Sequence, residues 1–95
     1  MMYSISTALY LETVEQLAAT IGVSNYFSGS ITFQFGEVEC RMTTSVIVYR
    51  QHLSMPDGEK EIITDLIPVW WEFHTTIDDT EQLNDFSFTT LRKHI

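Results

Sequence analysis

A chain of 95 residues, 44% of them hydrophobic, can bury one small core, with roughly 60–70% of its unfolded surface leaving water, so residues 1–95 read as a single domain. Thirteen acidic side chains against five basic ones give a net charge of −8, with no cluster of Lys or Arg to displace counterions, which argues against direct binding to a nucleic-acid backbone. No apolar run reaches the roughly 18 residues of a membrane span, and residues 1–21 have neither a basic start nor an unbroken apolar stretch, so neither a span nor a signal peptide is expected.

The first predicted element is a helix. Tyr10, Val14, Leu17, Ala18 and Ile21 recur at helical spacing while Glu12, Glu15 and Gln16 face away. Gly22 followed by Val23 has the form of a left-handed C-cap with its hydrophobic contact, and Ser4, Ser6 and Thr7 are all candidates for the N-cap.

Residues 30–42 spell a hairpin. Ile31, Phe33 and Phe35 alternate with polar neighbours, and the alternation resumes after Gly36-Glu37 as Val38, Cys40 and Met42. Glycine at the first position of a two-residue loop suits a type II′ turn. Such a turn sets Phe35 opposite Val38, Phe33 opposite Cys40 and Ile31 opposite Met42, all on one face, and a one-residue slip would expose a whole row.

A second hairpin turns at Met55-Pro56-Asp57-Gly58-Glu59, read as a three-residue loop with glycine in the left-handed position. Carried inward, that loop pairs Val48 with Leu66, Val46 with Pro68, Thr44 with Trp70, Met42 with Glu72 and Cys40 with His74. The opposite face then receives Ile63, Ile67, Val69, Trp71 and Phe73, beside Ile47 and Tyr49, so both faces are apolar and two covers are expected. One cover is the N-terminal helix. The other is the C-terminus, extended over 85–88 and helical over 89–95, with Phe86, Phe88, Leu91 and Ile95 as its apolar residues; a continuous helix from residue 80 onward is the alternative. The polar segment 76–84 reads as a loop. The predicted fold is α+β, an N-terminal helix packed on a three-stranded antiparallel β-meander with a short C-terminal extended or helical element.

Chemistry is sparse. Cys40, Glu72, His74 and Met42 share a face in this register, but metal sites announce themselves through paired ligands at fixed local spacing, which is missing, so no metal is expected. The single cysteine cannot form an internal disulfide, which suits a cytoplasmic chain. Nothing marks an activated nucleophile: there is no Gly-x-Ser-x-Gly elbow, and Cys40 has Glu39 and Arg41 beside it. Gly22, Gly29, Gly36 and Gly58 stand singly, so no loop cradles a phosphate. Asp78, Asp79, Glu81 and Asp85 lack the ligand order of a calcium loop and read as solvated, as do His52 and His94. No enzyme and no cofactor are expected.

Two features remain. Trp70 and Trp71 point to opposite faces of a strand, and tryptophan is enriched at interface hot spots. Pro68 on the same strand cannot donate a ladder hydrogen bond and favours an edge. The expectation is a small acidic protein-interaction module that self-associates as a homodimer through Ile67, Val69, Trp71 and Phe73. An acidic inhibitor that imitates nucleic acid against a basic binding protein is the alternative, and an enzyme of unassigned type the third reading.

Overall fold

The computed structural model describes residues 4–95. In chain order it has α1 (Thr7–Ile21), β1 (Tyr26–Phe35), β2 (Val38–Met55), β3 (Gly58–Ile77), β4 (Thr80–Asn84) and α2 (Phe88–Arg92). The strands form one antiparallel sheet in sequence order, so each neighbour is reached by a hairpin. The α+β class stands, with four strands where three were predicted. β2 and β3 are the longest strands, and their outer ends run on as a two-stranded ribbon that helps stretch the molecule to 49 × 26 × 19 Å.

α1 starts at Ser6, whose hydroxyl accepts from the Leu9 amide at 3.2 Å, which decides among the three candidate caps. It ends at Gly22, where φ is 59° and the amide donates to Ala18 O. Val23 does not make the expected contact: it is 89% exposed. The buried face is Leu9, Tyr10, Thr13, Leu17 and Ile21, with Val14 only half-buried and Ala18 exposed. Thr13 enters that face because its hydroxyl bonds back to Leu9 O at 2.8 Å, which removes the cost of an unpaired buried hydroxyl.

The first hairpin has the predicted register, Phe35 to Val38, Phe33 to Cys40 and Ile31 to Met42, continuing back to Tyr26 opposite Ile47. Gly36 has φ of 60° and Glu37 does not share the positive value, as a type II′ turn requires. The second hairpin departs from prediction at both ends. Its loop is two residues, Pro56-Asp57, with Met55 opposite Gly58 rather than Glu59. An extra residue, Thr64, between the Tyr49–Asp65 and Arg50–Ile63 pairs restores the expected Val48–Leu66 and Val46–Pro68 pairs. A second extra residue, Val69, between the Val46–Pro68 and Ser45–Trp70 pairs shifts the register again. Pro68 has no N–H to hold the ladder there, and the Trp70 carbonyl accepts from the Thr44 hydroxyl at 2.6 Å.

That shift changes which side chains are core. Thr44 faces Trp71, Met42 faces Phe73 and Cys40 faces Thr75, so Trp71 and Phe73 lie on the helix side and Trp70, Glu72 and His74 on the other. The sequence reading had the reverse. β4 is a further correction: the segment expected to be a loop turns at Asp78-Asp79, with φ of 50° and 61°, and pairs back on residues 73–77, which also rules out a continuous helix from residue 80.

Both helices cover the same face. Phe86 sits between Tyr10 (ring centroids 4.8 Å) and Phe73 (4.7 Å), and Phe88 and Leu91 complete a core with Leu9, Leu17, Met42, Val46 and Leu66. Ser87 caps α2 by accepting from the Thr90 amide, and its own amide donates to Tyr10 Oη. The C-terminal segment therefore thickens the first cover and leaves the second face bare.

Candidate functional site

The bare face is read directly from the ladder. Tyr26, Ile47 and Ile67 form one cross-strand row; the next row is Ser28, Ser45 and Trp70, followed by Ser30, Thr43 and Glu72. Tyr49 continues the line of Ser45 and Ile47 along β2, since alternate residues share a face. Tyr26 and Tyr49 are each 53% exposed, Trp70 44% and Val69, lifted out of the ladder by the bulge, 64%. Ile47 is exposed and Ile67 half-buried.

Of the four residues predicted to form an interaction surface, Ile67 lies on this face and Val69 protrudes at its edge. Phe73 is fully buried on the helix side. Trp71 is also on that side, 39% exposed, with its ring 5.5 Å from Phe88 and its indole N–H donating to Phe86 O at 2.8 Å. Trp70 stands opposite Ser45, where the uninterrupted register places Val69, on the face that register gives to Trp71. Tyr26 lies outside the predicted hairpin of residues 30–42, and it is an aromatic on the polar side of the β1 alternation, the side of Ser28 and Ser30.

The rows of Tyr26 and Ser28 carry no charge, and the next row of the face holds the exposed Glu72. The hydroxyls of the face are satisfied within the sheet, Ser28 Oγ to Ser45 Oγ at 2.8 Å and Ser30 Oγ to Thr43 Oγ1 at 2.7 Å. Eight of the thirteen acids are near the two ends of the molecule, with Glu12, Glu15, Asp65, Glu72 and Asp85 between them. Asp57, Glu59 and Glu61 are on the ribbon, the latter two near His52 at 3.2 and 3.7 Å; Glu37, Glu39, Asp78, Asp79 and Glu81 are by the opposite turns, where Arg41 meets Glu81 at 2.9 Å.

The suspected metal grouping is divided by the sheet. Cys40 is buried on the helix side, while Glu72 and His74 are on the other. Burial, and secondarily the charge of Glu39, push the Cys40 thiol up to about 11, so the free thiol is protonated near neutral pH. The Asp78-Asp79 pair occupies the positive-φ positions of a tight turn. Among the described residues no helix is long and apolar enough to cross a membrane. No protein-family model, curated protein or solved structure matches the chain.

Proposed function

We propose that this protein is a protein-interaction module, without catalytic chemistry of its own, that pairs with a second copy of itself through the bare sheet face. The supporting observation is the uncovered cluster of Tyr26, Ile47, Tyr49, Ile67, Val69 and Trp70 on a face with no helix over it. These side chains leave on the order of 500 Å² accessible, the size of the largest patch on a typical monomer and often a functional one. With the flanking serine and threonine hydroxyls the face offers the roughly 800 Å² per partner of a standard interface.

Charge distribution favours a second copy. Two chains of net charge −8 repel if their acids meet, but a contact centred on the uncharged rows of Tyr26 and Ser28 lets two sheets stack about 10 Å apart with Glu72 to one side of the axis. A two-fold axis through the face uses the same patch twice.

Size-exclusion chromatography with light scattering at micromolar concentration tests this. The expected mass is that of a dimer, little changed by added salt, and Ile47→Asp should give a monomer. A monomeric wild type overturns the reading, and a basic partner released steeply by salt would favour the acidic-inhibitor alternative.

A further inference from the structure

On the helix side, where the ribbon leaves the sheet, a cavity of about 400 Å³ opens beside the end of α1. Val14 and Ala18 of α1, and Ile62 and Leu66 of β3, supply apolar walls; Arg50 and Glu61 are among its polar groups. Its volume is within the range of small-molecule sites, and such sites combine apolar walls with a few placed polar groups.

Arg50 is the unusual member. Its Nη2 donates to Gly22 O at 2.6 Å and Ser24 O at 2.7 Å, the carbonyls just past α1. Its Nε is shut from water with no hydrogen-bond partner, and no carboxylate pairs with it among the described residues. In a chain with thirteen acidic side chains, the guanidinium nearest the cavity has no counterion. Glu61 lies one row farther out on the ribbon, within 3.7 Å of His52 Nδ1, and does not fill that role.

We propose that the cavity binds a small amphiphilic carboxylate, its apolar body against Val14, Ala18, Ile62 and Leu66 and its carboxylate on Arg50. With Nη2 on two carbonyls and Nε closed off, the Arg50 Nη1 is the donor left to hold a carboxylate, the group guanidinium recognises best. Glu61 then selects for a single anionic head by repelling a second one. The site is on the opposite side of the sheet from the bare face, so it is independent of dimer formation.

Octanoate titrated into ¹⁵N-labelled full-length protein, followed by amide shifts, tests the proposal against 1-octanol and octylammonium. Saturable octanoate binding is expected with shifts at Val14, Ile62 and Leu66, weakening about fourfold for each methylene removed. Octanol should bind at least tenfold more weakly. Arg50→Gln should lose octanoate; because Arg50 also ties down the end of α1, Ala18→Phe, at an exposed position, is the second variant, filling the cavity and abolishing binding with the fold intact. No saturable octanoate binding, equal binding of octanol, preferential binding of octylammonium, or unchanged binding in Ala18→Phe would each overturn it.

Discussion

On one side of β2, Cys40, Met42, Thr44, Val46 and Val48 are all shut from water beneath two helices, while on the other side of the same strand Ile47 and Tyr49 stand open. The covered side also resolves its polar groups: Thr13 bonds Leu9 O, Thr44 bonds Trp70 O and Asn84 bonds Thr75. The open side satisfies its hydroxyls in pairs and leaves its aromatics without cover. One side is finished as a monomer core, and the other has the composition of a core without its second layer. The comparison predicts that similar truncations on the two sides act on different equilibria.

The largest effect is expected on the covered side. Phe73 is fully buried and stacked on Phe86, so Phe73→Ala removes a large side chain from a packed site and should cost about 3–5 kcal/mol in urea unfolding. Trp70→Ala, three residues away, should leave monomer stability nearly unchanged and weaken self-association by about 2 kcal/mol or more, roughly thirtyfold in Kd by sedimentation equilibrium. If the two substitutions destabilised the monomer equally, the distinction between the faces would fail.

Trp71 is the tryptophan that the sequence pattern places on the wrong side. Trp71→Phe keeps a ring against Phe88 and deletes the N–H that holds Phe86 O. The expected loss is about 1 kcal/mol of folding stability with association unaffected, read from urea unfolding and light scattering on the same sample.

Why that placement failed in sequence is a matter of pattern strength. In the first hairpin, apolar residues alternate with polar ones on both strands, so the turn at Gly36 and the burial pattern agree and every pair was legible. In β3, Ile62, Ile63, Leu66, Ile67, Pro68, Val69, Trp70, Trp71 and Phe73 leave almost no polar residue to mark a face. Alternation loses its power there, and inserted residues at Thr64 and Val69 leave no trace in it. Only the pairing of residues 46–48 with 66–68, between the bulges, was recovered. The helix and its end at Gly22 are visible through periodicity and the glycine, its start only as three candidate caps, and the C-terminal element as a short helix without the face it covers. β4 is not, because its turn uses Asp-Asp where Asn-Gly or Asp-Gly is the usual signal. Four of the six surface residues, Ile47, Tyr49, Ile67 and Val69, are legible from the predicted register, whereas Tyr26 and Trp70 emerge only from the observed one.

The smallest effect concerns how the second helix is held over the covered side. Arg92 of α2 reaches Asp65 on the edge of β3 with two hydrogen bonds, 2.8 Å from Nε and 2.7 Å from Nη2. Those bonds hold the Asp65 carboxyl below the usual carboxylate range; modest desolvation opposes them, and the Leu66 amide and the charge of Arg92 add to the lowering. The folded state therefore takes up this proton less readily than the unfolded chain. The stabilisation it contributes is fully present above the unfolded value of about 4 and is lost as pH falls through the lower folded value. Both partners are solvent-accessible, so the contribution is small and screened by salt. Asp65→Asn should lower the melting temperature slightly at pH 7 in low salt, and the gap between wild type and variant should close as pH falls below about 4 or as salt is added. Arg92 reaches Asp65 around the sheet edge, at the rim of the bare face opposite Tyr49, so the dimer mass should be the same for both proteins. A gap that persisted at low pH would mean that Asp65 acts through packing rather than through its charge.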